Sequence, residues 1–155
     1  MRNRFCKISM QALIRKIRVL MHLPPADRMR LLGTLGLMAI VRVALWILPF
    51  RWMKRVVEGC GAMHLLEKRL TDRQVAWSIL LASRNIPHAT CLTQALTAQM
   101  LLKWAGLDGT LYIGVRRENR FEAHAWVECA GRVLVGGMDD LGGFTRLLAV
   151  GGARI

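Results

Sequence analysis

Acid is what this sequence has least of. Ten Asp and Glu stand against 23 Lys and Arg in 155 residues, a net charge of +13. The shortage is uneven: residues 1–75 hold 15 basic and 4 acidic side chains, a net of +11, and residues 76–155 hold 8 and 6, a net of +2. A basic field in the N-terminal half suits an acidic peptide, an anionic membrane surface or nucleic acid. No nucleic-acid-binding motif accompanies it, so no nucleic-acid partner is expected. Cysteine is sparse too. Cys6, Cys60, Cys91 and Cys129 never form a Cys-x-x-Cys pair, which removes a zinc or redox framework. With 54% hydrophobic residues the chain needs no disulfide staples, and reduced thiols in a cytoplasmic protein are expected. Repeats and low-complexity stretches are absent, and the length suits one compact unit.

The opening "MRNRFCKISMQALIRKIRVLMHL" starts basic, as a signal peptide does. Arg15, Lys16 and Arg18 break any apolar core, however, and no small-residue cleavage site follows. Ile14, Ile17 and Met21 recur at helical spacing, which predicts a cationic amphipathic surface helix, with peripheral membrane or anionic-partner contact as the other reading. Leu31 to Phe50 carries a single charge, Arg42, over nearly the length of a bilayer span. Interior Gly33 and Gly36, the central Arg42 and the stop at Pro49 favour instead a buried helix of a small helical part. "PFRWMKRVVEG" adds a short helix ending at Gly59.

Thr71 and Gln74 form a capping-box pattern that opens a helix with Val75, Trp77, Ile79 and Leu80 on its apolar face, ended by Asn85 and Pro87. A second helix is predicted from about Leu92 to Ala105, with Leu92, Leu96, Met100 and Leu101 on one face and Gly106 as its stop. The period then changes to two. "TLYIGVRR" and "AHAWVEC" alternate, Ala130-Gly131 makes a hairpin turn, and "RVLVGG" returns antiparallel. After Gly142 the signal fades. Helices followed by a meander of strands predict an α+β fold, with a helical part over 1–70 and a core over 71–155.

Within "HATCLTQALTAQMLLKWAG", Thr90 can cap the helix and leave Cys91 at its first position. Unpaired N–H groups and the helix dipole favour a thiolate there. A nucleophilic thiol also needs a base, and His124, between Ala123 and Ala125 on the following sheet, is the candidate. Cys on a helix followed by His on a strand is the order found in papain-like and transglutaminase-like folds.

Residues 91–137 carry a resemblance. Cys91-Leu92 with Ala95-Leu96, the "IGV" strand, and "HAWVE" followed by Gly131 resemble the core of the leader peptidases of lasso-peptide biosynthesis, a transglutaminase-like family. The apolar helix and "LPFR" at 48–51 resemble that family's N-terminal helical part, so the likeness covers roughly residues 25–148. The resemblance implies a helical part packed on a transglutaminase/papain-like core, whose Cys-bearing helix lies on a small antiparallel sheet. It also implies a cysteine protease that cuts the leader from a ribosomally made precursor, before an asparagine-synthetase-like cyclase closes the macrolactam ring. Cys91 would be the nucleophile and His124 the general base, with no cofactor or metal. Some members carry a winged-helix-like leader-recognition module. Residues 1–70 show no strand-rich segment, so a separate recognition protein is expected as a partner beside the precursor peptide.

The third member of the triad departs from the pattern. Pairing Cys129 with Arg132 across the turn places His124 opposite Gly137, and the positions where an Asp or Asn should stand, 136 and 137, are both glycine. Asp139 lies two residues on, on the His124 face if the strand continues, and is the predicted orienter. Glu128 shares that face about two residues along its own strand, and a backbone carbonyl or water is a further option. Trp104 and Trp126 are read as core, with a substrate groove as the other reading. Cys129 should point away from His124, which argues against a metal site. Two other functions stay open: a non-enzymatic basic adaptor at a membrane or partner protein, and an acyltransferase of transglutaminase type.

Overall fold

The structure, a computed structural model, describes residues 22–60, 70–87, 89–117, 121–137 and 141–151. The predicted amphipathic segment at 14–21 lies outside them. The described residues form four helices followed by four strands: α1 (Pro25–Ile47), α2 (Phe50–Gly59), α3 (Asp72–Ser83), α4 (Cys91–Trp104), β1 (Gly109–Arg117), β2 (Phe121–Cys129), β3 (Arg132–Val135) and β4 (Thr145–Val150). This is the α+β order read from the sequence.

Local chemistry sets the helix ends. Pro25 occupies the first position of α1, where a missing N–H costs nothing, and Leu48 turns extended ahead of Pro49. At α3 both halves of the capping box form. The Thr71 hydroxyl accepts from Gln74 N–H at 3.3 Å, and the Gln74 carboxamide accepts from Thr71 N–H at 3.0 Å. Helix α4 ends in paired backbone bonds, Leu107 N–H to Leu102 C=O at 2.9 Å and Gly106 N–H to Lys103 C=O at 3.1 Å, with Gly106 at φ +69°.

α4 is the centre of the molecule. It packs on α1 and α3 on one side and on β1 and β2 on the other. Ala95 through Leu102 are buried without interruption, so the one-sided apolar face predicted for it is replaced by burial around its circumference. Thr97 Oγ1 donates to Thr93 C=O at 2.8 Å within the helix, and Gln99 Nε2 donates across to Gly109 C=O at 2.7 Å, while Gln99 Oε1 has no partner among the described residues. Met38, Val41, Ile79 and Leu96 meet Leu111, Ala125 and Val127 in one apolar cluster.

Two expectations for the other helices are corrected. Among the described residues α1 is covered on one face only, the one that buries Leu31, Thr34, Met38 and Val41, because α3 and α4 reach no further around it. Leu80, placed on the apolar face of α3, is 54% exposed, since the buried stripe runs through Val75, Ser78, Ile79 and Ala82.

The sheet is antiparallel throughout, in the order β3-β2-β1-β4. Strand β4 is an addition to the sequence reading, which left the chain after Gly142 unassigned. The hairpin turn is as expected: Ala130 at φ +49° and Gly131 at φ +73° give the left-handed pair of a type I′ turn, and Cys129 faces Arg132. The register does not hold beyond it. Glu128 pairs with Val133 but Val127 pairs with Val135, so Leu134 is an extra, bulged residue and everything after it moves by one. The predicted pairing of His124 with Gly137 is therefore displaced.

Candidate functional site

Cys91 is the first residue of α4. Thr90 caps the helix, its hydroxyl oxygen accepting from Thr93 N–H at 3.3 Å and lying 3.0 Å from the Thr93 hydroxyl. Gln94 closes the first turn onto Thr90 C=O at 3.1 Å, and its carboxamide donates to Ala89 C=O at 3.1 Å. The backbone N–H groups of Cys91 and Leu92 have no partner among the described residues. The thiol is half-buried against the apolar cluster. This corner of the helix thus joins a thiol to two backbone donors without a partner among the described residues.

His124 lies mid-way along β2. Its Nε2 is 2.8 Å from the carbonyl oxygen of Gly136. An oxygen acceptor requires Nε2 to carry the proton, which leaves the Nδ1 lone pair of the neutral ring available as a base. The ring is clamped from two sides: it stacks on Trp126 at a centroid distance of 6.2 Å and an interplanar angle of 14°, and meets Phe144 at 5.7 Å. Trp126 leans over β1 at Gly114, the residue opposite His124, where a Cβ would meet the indole at 3.0 Å.

Gly136 is fixed by two requirements. Its φ is +78°, and a Cβ there would lie 2.6 Å from Ala125 O and 3.0 Å from Trp126 Cα. Only glycine permits this approach of the chain to β2. β3 ends one residue earlier, so a carbonyl occupies the place where sequence reasoning sought a carboxylate. The sequence marks Gly136 as a departure from the family pattern and keeps a backbone carbonyl as an alternative orienter to the preferred Asp139; the Gly136 carbonyl is where the structure places the ring's partner. Asp139 lies outside the described residues.

Glu128 does not reach His124. Its Oε1 accepts from Trp126 Nε1 at 2.9 Å and from the Arg146 guanidinium at 2.9 Å. Arg146 in turn lies over the Tyr112 ring at 4.3 Å, and Arg116 over Phe144 at 4.8 Å. Phe144 and Arg146, both in the stretch left unassigned in the sequence, thus complete the surroundings of the ring.

The structure places Cys91 and His124 on directly packed elements, α4 and β2, without a hydrogen bond between thiol and imidazole. Alternation puts Ala125 and Val127 into the layer with α4, and the His124 ring on the face with Trp126 and Phe144. Proton transfer between thiol and imidazole therefore requires a closer approach than this structure shows. Trp126, 1% exposed, is part of the packing rather than a groove wall. Trp104 ends α4, about 20 Å along the helix from Cys91 at 1.5 Å per residue, and takes no part here. Cys129 is buried in the apolar cluster, away from His124, and no group of three metal-binding side chains occurs among the described residues.

The sequence matches the transglutaminase-like superfamily over residues 30–149. The chain belongs to that superfamily. The matched span runs from α1 to β4 and includes both Cys91 and His124. Neither a curated protein nor a solved structure matches it. Membership is compatible with a cysteine protease or an acyltransferase, two reactions that share a thioester intermediate and differ in what resolves it.

Proposed function

We propose that this chain is a cysteine peptidase that removes the leader from a ribosomally made lasso-peptide precursor. Release of the leader would precede macrolactam closure by a separate asparagine-synthetase-like enzyme. The observation that carries the reading is the capped position of Cys91 at the start of α4, within a transglutaminase-like domain whose "HAWVE" strand holds His124 with Nδ1 free.

The chemistry follows from these groups. Once the ring and the thiol are brought together, His124 Nδ1 takes the Cys91 proton, and the thiolate adds to the scissile carbonyl. The oxyanion that develops is met by the free N–H groups of Cys91 and Leu92. The imidazolium then protonates the leaving amine, the C–N bond breaks, and a thioester remains on Cys91. Water, deprotonated by His124, adds to the thioester, and the thiol leaves with the proton returned. No step needs a metal or cofactor. The Gly136 carbonyl keeps the ring in the productive tautomer and orientation, the part that Asp139 takes in the sequence reading. Recognition of the leader falls to a separate partner protein, and the basic N-terminal half suits contact with it or with an acidic leader.

Cys91→Ala tests the reading. Alanine is tolerated in a first helical turn, so the fold should persist. The purified variant, incubated with precursor and recognition partner, should yield no cleaved leader by mass spectrometry, and His124→Ala should lose nearly as much because the two act as a unit. Full cleavage by Cys91→Ala removes the protease reading. A product carrying an added amine instead of a free carboxylate assigns acyl transfer.

A further inference from the structure

We propose that the outer face of α1 is a membrane-docking surface, which seats the protein on an anionic lipid layer with α1 lying in the plane of the headgroups. This goes beyond the reaction at Cys91 and does not rest on it.

The observation is an apolar helix that the described residues cover on one side only. Met29, Leu32, Ile40, Val43, Trp46 and Ile47 recur at helical spacing on the side opposite Leu31, Thr34, Met38 and Val41, and all six are exposed, Trp46 to 84% and Ile40 to 66%. Gly33, Gly36 and Ala39 fill the gaps in this stripe and are exposed as well, so no hydrogen-bonding side chain interrupts it between 29 and 47, other than the indole of Trp46. That is a run of about 27 Å at 1.5 Å per residue. Single exposed apolar residues are ordinary, but a continuous stripe marks a surface that another phase or molecule covers. The stripe continues onto α2, where Trp52 and Val56 are exposed and the Arg55 guanidinium lies 5.4 Å from the Trp52 ring centre.

Charge selects the occupant. The two carboxylates of α1 and α2 are already paired, Asp27 with Arg30 and Glu58 with Lys54. Arg42, Arg51 and Arg55 have no carboxylate partner among the described residues. They lie on these two helices, in a half of the chain whose net charge is +11. Tryptophan and arginine bordering an apolar face match the headgroup boundary, where rings sit among carbonyls and guanidinium groups meet phosphates. A protein interface of this length would be expected to offer roughly one hydrogen bond per 100–200 Å², and this stripe offers almost none. The helix is long enough to span a bilayer, at 23 residues. Its inner face, with Thr34 buried, is packed on α3 and α4, however, and crossing would strip that face from the core.

The test uses the full chain and vesicles of equal parts phosphatidylglycerol and phosphatidylcholine. The protein should co-sediment with them, bind phosphatidylcholine vesicles far less, and be released by salt. Ile40→Glu with Val43→Glu should weaken binding roughly tenfold or more, with an unchanged circular dichroism spectrum. If that variant fails to fold, brominated lipid provides the measure: it should quench wild-type fluorescence and quench Trp46→Phe less. No sedimentation with anionic vesicles, or equal quenching of the two proteins, overturns the proposal. A lipid-free dimer that the double variant dissolves, without vesicle binding, assigns the face to a second copy. Resistance to alkaline carbonate extraction assigns a spanning helix.

Discussion

His124 Nε2 and the Gly136 carbonyl oxygen lie 2.8 Å apart, and the bond between them is possible only because residue 136 has no side chain. An imidazole held by a backbone carbonyl has a fixed tautomer but no negative charge beside it. The imidazolium formed during reaction is therefore less stabilised than it would be beside a carboxylate.

The first prediction concerns Gly136. In Gly136→Ala the residue must keep φ +78° and bring its Cβ within 2.6 Å of Ala125 O. The left-handed backbone alone costs about 1–2 kcal/mol, and relieving the clash moves the carbonyl from the ring. Urea unfolding should show the stability loss. Cleavage should fall mainly in kcat if Gly136 acts through the His124 ring. An unchanged kcat would mean that the carbonyl does not orient His124.

A second prediction compares Asp139 with Asp140. The bulge at Leu134 displaces the register on which Asp139 was placed on the His124 face, and both aspartates lie outside the described residues. With Nε2 held by Gly136, Asp139→Asn and Asp140→Asn should each retain turnover to within about tenfold. A loss near 10⁴, the size seen when a triad carboxylate is removed, would put that carboxylate on the ring. Single-turnover cleavage by the two variants, side by side, decides.

Cys129 gives a pH prediction. Burial, and next the Asp72 carboxylate, push its thiol above the ordinary 9.0; Arg132 opposes them and Asp108 adds a smaller push in the same direction. The native state therefore holds the proton to higher pH than the unfolded chain. The stability this represents is complete below about pH 9 and is lost as pH rises through the native value. The urea midpoint of the wild type should fall between about pH 8 and pH 10 by more than that of Cys129→Ala. Iodoacetamide should reach half-buried Cys91 well before Cys129.

Glu128 and Trp126 provide the fourth. Glu128→Ala leaves the indole N–H of a 1% exposed ring without its acceptor. That should cost about 1–3 kcal/mol in urea unfolding. Glu128→Gln keeps an acceptor and should retain most of the stability. Equal losses would show that the pairing with Arg146, rather than the bond to the indole, is what matters.

Legibility in the sequence followed the range of the interactions. The Thr71–Gln74 box, the Thr90 cap that puts Cys91 first in α4, and the Ala130-Gly131 turn depend on neighbours within a few residues, and all form as read. Burial around α4 was not legible, because Thr93, Thr97 and Gln99 look like a polar face until their local bonds are known. The half-covered state of α1 was hidden for the opposite reason: its outer face is as apolar as its inner one. The bulge at Leu134 is a compromise between the turn and the approach of Gly136 to β2, and no local pattern encodes it. β4 follows a glycine-rich stretch, and only its pairing with β1 makes it a strand.

The strand order carries a kinetic consequence. β1, β2 and β3 are joined by nearest-neighbour hairpins, whereas β4 closes on β1 with Leu111 opposite Val150, across the whole meander. Contacts of long sequence separation form late, and an edge strand near the chain end is where local opening is easiest. Phe144 stands at the threshold of that last strand and touches the His124 ring, and Arg146 lies within it over Tyr112 and Trp126. Fraying of the C-terminal edge would therefore uncover the imidazole while the Gly136 bond, made by the early hairpin, still held it. Amide exchange should be faster in β4 than in β2, and its rate would report how often the half-buried ring becomes fully exposed.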